Sequence, residues 1–170
     1  MGNPFTDISR TFRKFDVKKP AQEVFKIREF QEVFVEIIQD RLETKGIDAL
    51  GNVLKTNRAE GLNVYGRRTI TIKRKKGQRI KNVTLKDTGE FYRNWRIKMS
   101  AFIIELEANF KKDKGDIYDN FTRKYDTPQA FYAAVLSMNE KELIHYSINV
   151  ILPTYVEFIK KDLGAKIENL

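Results

Sequence analysis

Cysteine is absent from the 170 residues, which excludes disulfides, thiolate nucleophiles and zinc–sulfur sites together. Histidine occurs once, at His145, so no histidine cluster within one chain can hold a metal. Proline is scarce, with four residues, and no apolar run reaches the roughly 18 residues of a membrane-spanning helix. The N-terminal Met1-Gly2-Asn3-Pro4-Phe5 lacks the apolar stretch of a signal peptide, which points to synthesis and use in a cytoplasm. No glycine-rich phosphate loop follows a strand. What is present is a globular composition, 41% hydrophobic and 12% aromatic. The length suits one good-sized core and is short for two. With no internal repeat and no linker, the expected organisation is an N-terminal arm over residues 1–19 and a single α+β domain over 20–170. That domain carries a basic extended loop at about 66–82.

Charge is the most uneven property of the chain. Between positions 66 and 98, twelve Lys or Arg oppose only Asp87 and Glu90, a local balance of +10 within a total of +9. The protein is a near-neutral domain bearing one basic segment, which suits a phosphate-rich or acidic neighbour but also a merely solvated loop. The residues marked for DNA or subunit contact are Arg67, Arg68, Lys73, Arg74, Lys75, Lys76, Arg79 and Lys81.

Hydrophobic spacing supplies the elements. Val24, Phe25, Ile27, Phe30, Val33, Phe34, Ile37, Ile38 and Leu42 recur every three or four residues, predicting a long amphipathic helix over 21–44 ended by Gly46. Its wide apolar face fits a core helix or an oligomer contact. Thr69-Ile70-Thr71-Ile72 alternates and is β-branched, predicting a strand edge, with residues 73–79 as an exposed charged tip and Ile80 and Val83 returning as the second arm. Trp95, Ile97 and Met99 alternate in one phase, and Phe102, Ile104, Leu106 and Ala108 in the other. Such a slip of phase predicts two antiparallel strands folded at about Ser100-Ala101. Ile117, Tyr118, Phe121 and Tyr125 stand at helical spacing, Thr127-Pro128 breaks the pattern, and 131–136 is a short apolar run. Asn139 is placed to cap a last helix over 140–163, kinked at Pro153 and ended by Gly164. The fold class is therefore α+β: a small antiparallel sheet with a long N-terminal helix, a short central helix and a kinked C-terminal helix.

One tripeptide invites a chemical role. Asp87-Thr88-Gly89 matches the aspartyl-protease loop, in which two carboxylates across a dimer axis share a proton because both cannot ionise at close range. That chemistry wants an apolar run before the Asp and a small residue after the Gly, whereas Lys86 and Glu90 stand there. Asp87 or Thr88 capping a short helix explains more, since Asp87 and Glu90 have the capping spacing and Leu85, Phe91 and Trp95 flank it with apolar contacts. Asp113, Asp116 and Asp119 lie among lysines at a spacing that matches no calcium loop, and Glu105 and Glu107 suit the wet face of a strand. His145 has no evident acid–nucleophile partners. No catalytic residue, metal ligand or cofactor site is assigned.

The loop Gly46-Ile47-Asp48-Ala49-Leu50-Gly51, the basic segment 69–79 and Leu85-Lys86-Asp87-Thr88-Gly89-Glu90-Phe91 together resemble a bacteriophage family, the virion-morphogenesis or tail-completion proteins of the head–tail junction. Leu136-Ser137-Met138-Asn139-Glu140-Lys141-Glu142 is similar to the short polar motif that introduces its C-terminal helix. The likeness covers about residues 46–163. Asn94-Trp95-Arg96 departs from the small or polar residues usual after the motif's helix, and the N-terminal arm has no clear counterpart. The resemblance implies a structural, non-enzymatic virion protein needing no cofactor: a head–tail connector, tail-completion or neck or tail ring component. Its partners would be copies of itself in a closed ring and the portal, adaptor or tail proteins, with the basic loop facing genomic DNA in the channel or reaching into an adjacent subunit, and no membrane. It would work in the virion neck or tail after assembly in the host cytoplasm. The alternatives are a DNA-binding module using the basic loop and a dimeric Asp-Thr-Gly protease.

Overall fold

The computed structural model describes residues 18–86, 89–100, 103–112 and 115–168. The expected arm therefore falls outside them up to residue 17, and so do Asp87 and Thr88, the two expected cap residues. Lys18 and Lys19 already belong to a helix.

The expected N-terminal helix is bent. It comprises α1 (Lys18–Lys26) and α2 (Arg28–Asp40), separated at Ile27, whose backbone is extended (φ −66°, ψ 120°). The break frees the carbonyl of Phe25, and the Gln31 side-chain amide donates to it at 3.1 Å. Phe34, Ile38 and Leu42 repeat at intervals of four and are buried, so the stripe legible in sequence is the core face. The last turn, Arg41–Lys45, is π-helical and stops at Gly46 (φ 62°). A Cβ there would lie 2.7 Å from the Cβ of Asn82 and 2.9 Å from the amide nitrogen of Val83. Glycine is required for both conformation and space.

The strand expected at 69–72 is a helix, α3 (Arg67–Lys75), preceded by extended Gly66. Four alternating β-branched residues are locally ambiguous, and tertiary packing decides between the states. Helical spacing brings Ile70 and Lys73 onto one side, where Ile70 packs on the core and Lys73 is buried. The extended loop predicted over 66–82 is thus helical for its first half, and the charged residues 73–75 are its last turn rather than a hairpin tip. Residues 78–86 then run back without regular structure to α4 (Glu90–Arg93), the short central helix, which follows Gly89 at φ 79°. Leu85 is the non-glycine residue with positive φ (52°) among the described residues, a conformation costing a branched side chain about 1–2 kcal/mol.

β1 (Arg96–Ser100) and β2 (Ile103–Glu107) pair antiparallel, with Ile97 opposite Leu106 and Met99 opposite Ile104. The phase slip is thus an antiparallel pair of strands, and the turn expected at about Ser100-Ala101 lies partly outside the described residues. The other face of the pair is wet, as Lys98 meets Glu107 at 2.6 Å and Glu105 is exposed. The short β3 (Lys111–Lys112) and β4 (Gly115–Asp116) form a second antiparallel pair.

Helical spacing over 116–125 produces only a 3-10 turn, Ile117–Asn120. Thr127-Pro128 opens rather than breaks a helix: α5 (Pro128–Leu136) has proline in its first turn and the Thr127 hydroxyl accepting the Ala130 amide at 3.1 Å. Asn139 caps α6 (Glu140–Tyr146) as expected, its side-chain Oδ1 accepting the Glu142 amide at 2.9 Å while the Glu142 carboxylate accepts the Asn139 backbone amide at 3.0 Å. A π-helical turn, Ser147–Ile151, joins α6 to α7 (Leu152–Glu168). It lies just before Pro153, whose missing N–H the ladder must accommodate. Gly164 does not end this helix, which continues to Glu168 because nothing crowds or reverses the chain at that glycine.

The core gathers around Phe131, fully buried on α5. Phe121 stacks on it at 4.8 Å between ring centroids, and Tyr125 and Phe110 meet it edge-on at 5.1 and 5.8 Å. Rings so arranged add about 0.5–1.5 kcal/mol per pair beyond their burial.

Candidate anion-binding groove

The basic segment has a defined setting. One side of α3 and the loops at 56–60 and 119–123 enclose two adjoining clefts of about 600 and 630 Å³ that share Asn57, Arg58, Thr69 and Ile72, so they form one trough. Asn57 fixes the far wall. Its amide nitrogen donates to the Asn120 carbonyl at 2.7 Å, and its side-chain amide donates to the Asp119 carbonyl at 2.9 Å and Thr122 Oγ1 at 2.8 Å. Its side-chain oxygen accepts the Arg123 amide at 3.0 Å. These four bonds hold Arg58 and Arg123, distant in sequence, against the trough.

On the near wall, Arg68, Thr69, Ile72, Lys73 and Lys76 fall on one side of α3. The first turn of α3 holds no acid, so the positive end of its dipole adds to Arg67 and Arg68 at one end of the trough. Two lining acids are already engaged. Glu60 meets Arg67 at 3.2 Å, and the Asp119 carboxylate accepts the Asp116 amide at 3.1 Å. Among the described residues, Arg58, Arg68 and Arg123 have no carboxylate partner.

The eight expected contact residues divide. Arg67, Arg68, Lys73 and Lys76 line the trough, joined by Lys86 from the same basic stretch and by Arg58 and Arg123, which lie outside it and which charge density did not single out. Lys73 is withdrawn from the surface: its ammonium donates to Gln78 Oε1 at 3.2 Å and the Lys86 carbonyl at 3.3 Å, and lies 5.0 Å from the centre of the Tyr65 ring. It anchors α3 to residues 83–86. Arg79 donates to the Glu43 carbonyl at 3.3 Å, and Lys86 meets the Glu43 carboxylate at 2.9 Å, so both tie this segment to the end of α2. Arg74, Lys75 and Lys81 are exposed away from the trough. Below the segment, the Thr84 amide donates to the Tyr65 hydroxyl at 3.1 Å and Tyr92 donates to the Thr84 carbonyl. Burial raises the pKa of both phenols, that of Tyr92 further through the nearby Glu43 charge.

Two buried charges escaped the sequence reading. Arg41, 1% exposed, donates to the carbonyls of Ile47 (3.2 Å), Val135 (3.1 Å) and Ser137 (2.8 Å) and to the Glu142 carboxylate (2.5 Å), joining α2 to the α5–α6 corner. The available signal was its place three residues after Ile38 on the apolar face. Asp48, fully buried, accepts from the amides of Leu50 (3.0 Å) and Asn52 (2.7 Å), the Asn52 side chain (2.9 Å) and the Tyr125 hydroxyl (3.0 Å). An Asp between Gly46 and Gly51 is the mark of such a turn. Both residues are architectural.

Among the described residues no three His, Asp or Glu side chains gather to hold a metal. Asp116 and Asp119 serve a cap at Ile117–Asn120, and the exposed His145 ring lies 3.0 Å from the Asn149 side-chain amide. Cations set on two walls give the trough a chemistry suited to an anion. No protein-family model, curated protein or solved structure matches the chain.

Proposed function

We propose that this chain is a structural assembly subunit of a tailed-phage virion, a head–tail connector, tail-completion or neck or tail ring component acting through protein–protein contacts. The observation that carries the assembly role is an apolar strip on the outside of α6 and α7. Ile144, Ile148, Leu152 and Val156 recur every four residues with exposures of 50, 55, 47 and 36%, and Leu143 beside them is 51% exposed. The strip runs about 20 Å at 1.5 Å per helical residue. Single exposed aliphatic residues are ordinary, but a continuous row of this length marks a surface meant to be covered. Two further apolar tips, Leu50 (80% exposed) and Leu62 (99%), stand elsewhere on loops. Unlike patches on one subunit suit a head-to-tail interface, the kind that closes into rings. The phage assignment itself rests on the resemblance of residues 46–163.

The test replaces Ile148 and Leu152 with glutamate and follows incorporation into phage particles alongside the unaltered chain. Each substitution exposes more polarity at a site already open to solvent, so the monomer folds and the strip alone is lost. Failure of the variant to enter particles supports the role; incorporation equal to that of the unaltered chain refutes it.

A further inference from the structure

The trough beside α3 shares no residue with the apolar strip on α6 and α7. We infer that it is a binding site for the phosphate backbone of duplex DNA, gripped without regard to sequence by Arg58, Arg68, Lys76 and Arg123. Cations stand on both walls, Arg68 from α3 and Lys76 just past its end, and Arg58 and Arg123 from the segments that Asn57 fixes. Three of them have no carboxylate partner among the described residues, so an incoming phosphate displaces no ion pair at those positions. Length fits as well: nine helical residues span about 13 Å, the axial rise of about four phosphates on one strand.

The aromatic lining decides between single and double strands. Proteins that hold single strands stack bases on exposed rings. Here the lining rings, Tyr65 and Phe121, are 4% and 2% exposed, while the accessible apolar surface is the aliphatic Ile72 at 44%. Bases have nothing to stack on, and contacts to a duplex backbone remain. The inference does not depend on the assembly role, and DNA binding and subunit assembly are separately measurable.

The experiment titrates a short fluorescent DNA duplex with the full chain at several salt concentrations, reading anisotropy. Four phosphate contacts give a slope of about −3 to −4 in the logarithm of affinity against the logarithm of salt. Replacing Arg58, Arg68 and Arg123 with glutamine flattens that slope to about −1 and weakens low-salt binding more than tenfold. A control chain with Lys141→Gln, Lys160→Gln and Lys161→Gln loses the same charge on α6 and α7 and binds as the unaltered chain does. The inference is overturned if no duplex binds at low salt, if the control weakens binding as much as the groove variant, or if a single strand of equal length binds tighter. Tighter capture of polyglutamate than of duplex at equal charge also overturns it and assigns the trough to an acidic protein.

Discussion

Arg41→Met is the substitution whose cost follows most directly from the structure. Methionine fills much of the same volume but donates nothing. It leaves the carbonyls of Ile47, Val135 and Ser137 without the guanidinium, and strands the Glu142 carboxylate, 15% exposed, beside an apolar side chain. Removing one partner of a buried ion pair costs about 3–5 kcal/mol, because the remaining charge has lost both water and its counter-ion. For a chain of this length that lowers Tm by roughly 6–20 °C. Glu142→Gln leaves the buried guanidinium without its counter-ion, but Arg41 keeps three carbonyls and glutamine still accepts the Asn139 amide, so its cost is the smaller of the two, about 1.5–3 kcal/mol. Urea unfolding of the unaltered chain and both variants, compared at constant m, measures each cost. A loss below about 1 kcal/mol for Arg41→Met would refute the claim that this guanidinium ties α2 to the α5–α6 corner.

Three other expectations follow from buried polar groups. Asp48→Asn, although isosteric, turns an amide NH2 toward donors from Asn52 or Tyr125 and lowers stability by about 2–4 kcal/mol in the same unfolding assay, whereas a surface Asp→Asn change is neutral. Trp95 has a buried indole N–H without an acceptor among the described residues, so Trp95→Phe removes an unsatisfied donor along with some packing and changes stability by less than about 1 kcal/mol; a large loss would reveal a partner for that N–H. Burial pushes the Tyr146 phenol up to about 12 while its hydroxyl donates to the Phe30 carbonyl at 3.0 Å, and raises Tyr65, Tyr92 and Tyr125 as well. The unfolded chain ionises at its ordinary value near 10 and the folded chain later, so above pH 10 the unfolded state holds fewer protons and stability falls. The fall approaches about 1.4 kcal/mol per pH unit for each such tyrosine. A spectrophotometric titration in which these phenols ionise near pH 10 with the fold intact would contradict their burial.

Elements with one strong periodic signal were legible in the sequence. The two phases around Ser100 became an antiparallel pair of strands with Ile97 opposite Leu106, and Asn139 became the cap of α6. Residues 69–72 misled because four β-branched residues carry no partner information, and the burial of Ile70 and Lys73 fixed them as helix. The bend at Ile27 and the extension past Gly164 depend on what surrounds the chain rather than on local preference. The basic side of the groove was visible as charge density. Its second wall was not, since Arg58 and Arg123 are brought to one cleft by the backbone and side-chain bonds of Asn57 to residues 119–123. Arg41 and Asp48 look in sequence like surface charges, because burial of an ion is decided by the acceptors or donors that other segments deliver.

The assembly role is tested most directly by the mass of the chain in solution, alone and mixed with purified phage portal and tail proteins. The account predicts a defined complex, either a closed multiple of the 20.0 kDa subunit or a ring completed on a partner, which Ile148→Glu with Leu152→Glu abolishes. A 20.0 kDa species at every concentration, with no complex formed on any of those partners, would contradict it.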